Sequence, residues 1–159
     1  MAKSKQDSGI HVVAKNKRAR FDYELLDRYE AGLVLQGTEI KSIRAHKVSL
    51  QRAYVQARGD ELYLIDANIA PYEHGNRENH EPKRPRKLLL HRREINNILA
   101  ELQEKSLTAV PIRMYLKDGL AKLEFATARG KRKYDKRRDI AERDAQRQVD
   151  RALSRKYGR

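Results

Sequence analysis

The feature that most restricts how this chain can fold is an abrupt change of residue pattern at Arg129. Before it, residues 107–116 and 120–128 alternate apolar and polar side chains around Asp118-Gly119, the pattern of a β-hairpin. After it, residues 129–138 contain seven Lys or Arg and show no apolar periodicity. Since a segment with few apolar residues cannot stabilise itself by burial, we expect a folded body followed by a basic tail.

The charge of the chain favours a polyanionic partner. The 159 residues include 36 Lys or Arg and 22 Asp or Glu, a net charge of +14. Residues 129–159 alone hold 13 Lys or Arg against 5 Asp or Glu, so more than half of the excess lies in the tail. Nucleic acid is the first candidate partner, and an anionic membrane surface is the second.

The residues that are missing exclude several classes of chemistry. The chain contains no Cys, which rules out disulfides, thiolate zinc sites and Cys nucleophiles. The first residues are polar and basic, and no stretch approaches the roughly 20 apolar residues of a membrane span. We therefore expect a cytoplasmic protein with no membrane partner.

Most of the body is predicted to be β-structure. A short strand is expected over residues 11–15, and a long strand over 23–35 in which Gly32 permits a bend or a bulge. A hairpin is expected around Gly59-Asp60, because this pair tolerates the positive φ angles of a tight turn. Pro111, which cannot donate a backbone hydrogen bond, is tolerable only at a sheet edge or a bulge.

Two helices are predicted in the body and a weaker one in the tail. Thr38 is expected to cap a short helix with Ile40 and Ile43 inward. Ile95, Ile98, Leu99 and Leu102 follow the i, i+3, i+4, i+7 spacing of a second helix. The apolar stripe over residues 139–157 is mostly Ala, so we expect the tail to be disordered until it becomes helical on a surface.

These elements predict a mainly β fold with accessory helices. About six strands and two helices fit a six-stranded antiparallel closed barrel, the oligonucleotide-binding (OB) fold, and a flat α+β sandwich is the alternative. We divide the chain into a flexible leader (1–9), an OB-fold RNA-binding body (10–128) and a basic C-terminal tail (129–159).

No catalytic motif is present. The chain lacks the phosphate-binding, dinucleotide-binding, nucleophile-elbow and zinc-protease sequence motifs. The segment from His74 to His80, with nearby glutamates at 73, 78 and 81, matches no metal-ligand spacing, and we interpret it as a solvated loop. The sequence predicts no enzyme, no cofactor and no metal.

Three basic groups, at residues 15–20, 83–87 and 129–138, predict nucleic-acid binding. Two of them adjoin aromatic residues (Phe21, Tyr23 and Tyr134), which suits cations for phosphates and rings for stacking on bases. In the middle group, two prolines disfavour a helix, so we expect its four cations to be exposed. Ordinary solvated surface is the alternative for each group. We assign Tyr54, Tyr63 and Tyr115, which lie on predicted strands, to core or cross-strand packing.

Several segments resemble one known family. They are Asn16-Lys17-Arg18-Ala19-Arg20, residues 29–42 (YEAGLVLQGTEIKS), residues 86–91 (RKLLLH), 128–131 (ARGK) and Asp135-Lys136-Arg137. In this order they closely resemble the small protein B family, the partners of transfer-messenger RNA (tmRNA, or SsrA RNA) in bacterial trans-translation, a ribosome-rescue pathway. The resemblance covers nearly everything from residue 10 onward.

The resemblance implies roles for particular residues of the body. It implies an OB barrel that holds the tRNA-like domain of tmRNA, with phosphates contacted by Lys17, Arg18 and Lys87. Glu30 cannot serve phosphate affinity, so it would accept base or ribose hydrogens or orient a cation, and a structural ion pair is the alternative. With Arg86 of the middle basic group, the candidate RNA-binding residues are Asn16, Lys17, Arg18, Tyr23, Glu30, Arg86, Lys87 and Leu89.

The resemblance also implies a role for the tail. It would enter the empty messenger channel of a stalled 70S ribosome and occupy the decoding centre of 16S ribosomal RNA, with Gly130 as the joint between body and tail. The candidate decoding-centre residues are Gly130, Lys131, Tyr134, Asp135, Lys136 and Arg137. Tyr134 departs from the family, which often has His there.

Three hypotheses follow from the sequence. The first is a non-enzymatic adaptor that binds alanine-charged tmRNA, and that meets elongation factor Tu with GTP and alanyl-tRNA synthetase through this RNA. The second is a permanent structural or assembly protein of the ribosome. The third is an RNA-processing enzyme with a carboxylate-bound metal.

Overall fold

The computed structural model describes residues 9–75, 79–131 and 133–157, and for 133–135 and 157 it describes the backbone alone. Within these ranges the chain is mainly β, as predicted. The strands are β1 (Ile10–Lys15), β2 (Tyr23–Leu33), β3 (Val48–Ser49), β4 (Tyr54–Arg58), β5 (Glu61–Ile65), β6 (Asn68–Ile69), β7 (Arg86–Leu89), β8 (Thr108–Lys117) and β9 (Leu120–Gly130). The helices are α1 (Ala19–Asp22), α2 (Gly37–Arg44), α3 (Arg92–Glu104) and α4 (Lys133–Tyr157).

The hydrogen-bonded strands of the main sheet form a closed ring. The main sheet has the order β1-β8-β4-β5-β7-β2-β9, and β9 also pairs with β8. Six strands therefore form a ring, and β1 is added to it on β8. Every pairing is antiparallel, and β3 and β6 form a separate two-stranded sheet.

The core fills the space between this sheet, α2 and α3. Its fully buried apolar side chains include Ile43, Leu62, Leu64, Leu88, Ile98, Met114, Leu123 and Phe125. Ile95 and Ile98 are buried and Leu99 and Leu102 pack against the cluster, so the predicted α3 is confirmed. A second, small cluster of Ala19, Val110 and Ala128 packs with Tyr23 and Leu25, and it attaches α1 to the sheet.

The register shifts within strands β8 and β2, and the sequence indicated only the first of these positions. Pro111 lies at a register shift between β8 and β9, so its predicted bulge is confirmed. At Gly32, where the sequence permits a bend or a bulge, the register of β2 does not shift; it shifts between Leu25 and Arg28. Gly32 pairs with Leu89 instead, and a Cβ there would lie 3.4 Å from the Leu89 Cβ.

The first turn of α2 also differs from the prediction. The N-cap is Gln36, not Thr38, and a capping box joins Gln36 to Glu39. Thr38 instead contacts His80, with 2.8 Å between its Oγ1 and the His80 Nδ1. His80 is therefore buried, not solvated as expected for residues 74–80, and Glu78 of that segment lies outside the described residues.

The two ends of the chain are described to different extents. Of the predicted leader, residues 1–8 lie outside the described residues, and the Gly9 carbonyl accepts a hydrogen bond from the Asp118 N–H at 3.2 Å. At the other end β9 continues to Gly130, and α4 begins at Lys133. Residues 133–157 of the tail are therefore helical in the free chain, where we expected disorder. Charge pairing along the helix is part of the reason, as between Arg138 and Glu142 at 3.2 Å.

Candidate nucleic-acid interface

The turn between β1 and α1 is anchored to the bulge of β8. The Asn16 N–H donates to the Ile112 carbonyl at 2.8 Å, and its side-chain Nδ2 donates to the Pro111 carbonyl at 3.0 Å. Both hydrogen bonds reach the segment where Pro111 leaves the β8–β9 register. As a result the exposed Lys17 and Arg18 extend from a fixed corner of the molecule.

An open groove of about 520 Å³ adjoins this corner, and we call it the corner groove. Asn16, Arg18 and Tyr23 line it, so the structure brings three of the sequence candidates together. Arg52 and Tyr54 also line it. We had assigned Tyr54 to packing, but 38% of its surface is exposed. The corner groove therefore offers both cations and an accessible aromatic ring.

Glu30, Lys87 and Leu89 lie apart from the corner groove, on the neighbouring strands β2 and β7. Leu89 is 52% exposed and lines a shallow surface with Leu120, which is 62% exposed, and Lys122. Such exposed apolar side chains next to a cation suit an unstacked base beside its phosphate. The candidate residues therefore form two patches.

The carboxylate of Glu30 has two protein partners. The Tyr115 hydroxyl donates a hydrogen bond to it, and the Lys117 Nζ lies 3.6 Å away. The Tyr115 hydrogen bond, with the charges of Lys117 and Lys122, holds the pKa of Glu30 below its usual range despite some burial. The carboxylate is thus charged, oriented and 41% exposed, so it can accept hydrogen bonds from a ligand while it remains ion-paired.

Arg86 does not have the expected position. We expected it to be exposed for RNA, but its side chain is completely buried. Its Nε donates to the Glu39 carboxylate at 2.6 Å, and its Nη atoms donate to the carbonyls of Ala67 at 2.7 Å and Pro82 at 3.0 Å. The prediction was wrong because β7 turns this guanidinium inward onto a buried acid, and no surface of Arg86 is left for a ligand.

The base of the tail is attached to α1. The Lys131 N–H donates to the Asp22 carbonyl at 2.9 Å, and its Nζ donates to the Arg20 carbonyl at 2.6 Å and pairs with Asp139. The Lys136 Nζ lies 3.3 Å from the Asp22 carboxylate. Two of the tail candidates are thus engaged by the body.

Phe21 is the centre of this attachment, and sequence reasoning had considered it only as a stacking ring. The charged groups of Arg18, Lys136 and Arg143 lie 5.2, 5.9 and 5.1 Å from the centre of its ring. Favourable cation–π contacts fall within about 6 Å. We call this set of side chains, together with Asp22, the Phe21 cluster.

The other tail candidates have fewer described contacts. Arg137 is exposed, and a Cβ added at Gly130 would meet nothing within 4 Å. The side chains of Tyr134 and Asp135 lie outside the described residues. Beyond its first turns α4 is exposed on all sides, including the apolar Ile140, Val149 and Leu153.

Neither a metal-binding cluster nor a membrane-spanning helix occurs in the described part of the chain. Among the described residues, no group of three or more His, Asp or Glu side chains comes close enough to hold a metal ion. Within the same ranges, none of the helices combines the length and apolar content that crossing a bilayer requires.

The fold and the site define a class: a basic, mainly β protein with cationic grooves and a C-terminal helix. Residues 13–155 match the family model described as SmpB protein. The chain is 51% identical over 144 residues to the SsrA-binding protein of Pelotomaculum thermopropionicum, with 91% of this chain and 94% of the relative covered. It is 53% identical over 148 residues to that of Chloroflexus aggregans, with 92% and 94% covered.

A solved structure agrees with these relatives. A chain from the structure described as "tmRNA-SmpB: a journey to the center of the bacterial ribosome" superposes with a TM-score of 0.64. It is 42% identical, and the match covers 84% of this chain and 95% of that chain. The chain belongs to the SmpB family.

Proposed function

We propose that this protein is a non-enzymatic adaptor of trans-translation. It binds the tRNA-like domain of tmRNA through its body and delivers this RNA to the A site of stalled ribosomes. Its tail occupies the decoding centre and the empty messenger channel. The observation that carries the proposal is the Asn16–Arg18 corner, where anchored backbone, cations and exposed rings meet, in a chain about half identical to SsrA-binding proteins.

The proposal extends to the fold and to the division of the chain. We assign the ring of six antiparallel strands to the OB barrel, since a flat open sheet would not return from β9 to β8. The body ends at Gly130, where β9 ends, two residues later than expected. The helix that follows has its own exposed surface and forms the tail.

The proposal assigns the remaining candidates and partners. Lys17, Arg18 and Lys87 contact phosphates, and Asn16, Tyr23, Glu30 and Leu89 shape the two RNA patches. Gly130, Lys131, Tyr134, Asp135, Lys136 and Arg137 act at the decoding centre. Elongation factor Tu with GTP and alanyl-tRNA synthetase act through the bound RNA, and the compartment is the cytoplasm.

A competition gel shift tests this function. Purified protein is titrated against labelled tmRNA with a large excess of bulk tRNA, at several salt concentrations. We expect a specific complex that survives the competitor. Replacing Lys17, Arg18 and Lys87 with Ala should weaken binding and reduce the salt slope, by about one unit for each lost phosphate contact at most.

Two outcomes would contradict the proposal. Equal competition by bulk tRNA would remove tmRNA as the specific partner. An unchanged salt slope in the triple variant would show that these three cations face solvent in the complex. Stable co-sedimentation with all ribosomes, translating ones included, would favour a structural ribosomal protein instead.

A further inference from the structure

A second groove lies on the other side of the Asn16 corner, and we call it the arginine groove. Five of the side chains that line it are cationic and one is acidic: Lys15, Lys17, Arg20, Arg28, Arg113 and Glu124. Asn16 and Ala19 line both this groove and the corner groove, so the two grooves adjoin at the corner. Lys15, Lys17 and Arg20 belong to the basic group predicted over residues 15–20, whereas the sequence did not single out Arg28, Arg113 or Glu124.

The acidic residue orients two of the arginines. Glu124 accepts a hydrogen bond from the Arg113 Nε at 2.8 Å and lies 3.4 Å from the Arg28 Nη1. The strand register explains this, because Arg113 on β8 pairs directly with Glu124 on β9, whereas Arg28 comes from β2 on the other side of β9. One carboxylate thus lies between two guanidinium groups from different strands.

The two guanidiniums are held and yet accessible. Arg28 is 50% exposed and Arg113 is 35% exposed, whereas Glu124 between them is only 16% exposed. Arg113 also lies over the Tyr115 ring, 4.8 Å from its centre. Each guanidinium has five N–H donors, and those that Glu124 does not use can bind a further acceptor.

These properties fit a phosphodiester. Arginine binds phosphate oxygens in a bidentate geometry, and a guanidinium that is already oriented loses less conformational entropy when it does so. After the charge of Glu124 is set against one of the five cations, the lining of the groove is still strongly positive. Because Asn16 and Lys17 line the groove, an RNA strand bound at the corner can extend into it.

We propose that the arginine groove binds the sugar–phosphate backbone of the RNA and extends the interface from the corner onto β2 and β8. This inference rests on the proposed function. Arg28 and Arg113 contact the phosphates, and Glu124 is a positioning residue that sets the direction of both guanidiniums.

The test compares two charge-matched double variants of the full chain. Arg28→Ala with Arg113→Ala removes the two groove arginines. Arg58→Ala with Arg93→Ala removes two exposed arginines of β4 and α3 that do not line the groove. The affinity for tmRNA is measured by gel shift over a range of KCl concentrations, and thermal unfolding verifies that both variants are folded.

We expect the groove variant to bind about tenfold more weakly and to lose about two units of salt slope, one for each phosphate contact. The control variant should bind within about twofold of the original chain, with an unchanged slope. Equal behaviour of the two variants would overturn the groove as a backbone site. Failure of the original chain to prefer tmRNA over bulk tRNA would instead overturn the proposed function, so the two failures are distinguishable.

Glu124→Gln separates orientation from charge. The substitution raises the net positive charge, so affinity for tmRNA would rise if the groove acted by charge alone. We expect affinity to fall, because both guanidiniums lose the partner that directs them. A rise would overturn the positioning role of Glu124.

Discussion

At the scale of single residues, the most consequential contact is the buried ion pair between Glu39 and Arg86. Arg84 adds a second guanidinium to the same carboxylate, with 2.5 Å between its Nη2 and Oε1. Burial acts to raise the pKa of Glu39, but hydrogen bonds from Arg84, the Gln36 N–H and Arg86 outweigh it, so the pKa lies below its usual value. The acid is therefore ionised at neutral pH and joins α2 to β7.

This pair was beyond the reach of sequence reasoning. Residues 82–87 form a local pattern of prolines and cations, which indicates an exposed basic segment. The partner of Arg86 lies 47 residues earlier in the chain. Local patterns carry no information about which distant acid meets a cation in the folded chain. The alternation of residues 107–128, by contrast, is itself local, and it predicted β8 and β9 correctly.

We expect Glu39→Gln to destabilise the fold by about 3–5 kcal/mol, because it leaves the buried Arg86 charge without its partner. Urea denaturation at pH 7 measures this. Glu61→Gln is a matched control, since it removes the exposed pair with Arg92 at 2.6 Å and should cost about 1 kcal/mol or less. Equal losses in the two variants would contradict the structural role of the pair.

The same pair predicts a pH dependence. Because the pKa of Glu39 is lower in the folded state than its ordinary value of 4.5, the contribution of the ion pair to stability is fully present above that pH. It is lost as the pH falls through the folded-state pKa. The stability difference between the original chain and Glu39→Gln should therefore shrink as the pH falls below 4.5 and through the lowered pKa of Glu39.

At the scale of elements, the attachment of α4 to α1 is the contact that sequence reasoning could not foresee. The tail was expected to be disordered because its apolar stripe is weak, and that stripe is indeed exposed in Ile140, Val149 and Leu153. Charged contacts, and not apolar burial, attach the helix to the body, because the Phe21 cluster holds its first turns. Such contacts depend on where α1 lies, which no periodicity in the tail reveals. The two-residue strands β3 and β6 were missed because they are too short to show a period.

We expect Phe21→Ala to loosen the first turns of α4 from the body. Loss of the three cation–π contacts should lower the local opening free energy by about 1–2 kcal/mol and raise amide exchange there roughly 5–30-fold. Phe21→Tyr keeps an aromatic ring and should exchange like the original chain. Exchange rates that are the same in Phe21→Ala would show that the ring does not hold the helix.

At the scale of the whole molecule, the body and the helix α4 are stabilised by different interactions. The body contains a continuous apolar core between the sheet, α2 and α3. Beyond the Phe21 cluster, the described part of α4 buries almost nothing. The mainly β class, the family and the basic tail could be predicted from alternation, motifs and charge. The two proposed RNA patches and the arginine groove could not, because they depend on how strands from distant parts of the chain meet.

The proposed function requires the body to bind tmRNA and the tail to act on the ribosome. Removing residues 132–159 while keeping Lys131, which is attached to α1, tests it most directly. Both tmRNA affinity and peptide tagging on stalled ribosomes are measured, with thermal unfolding as the folding control. We predict affinity within a few-fold of the full chain and loss of tagging. A large loss of affinity, or tagging that persists, would contradict the claim.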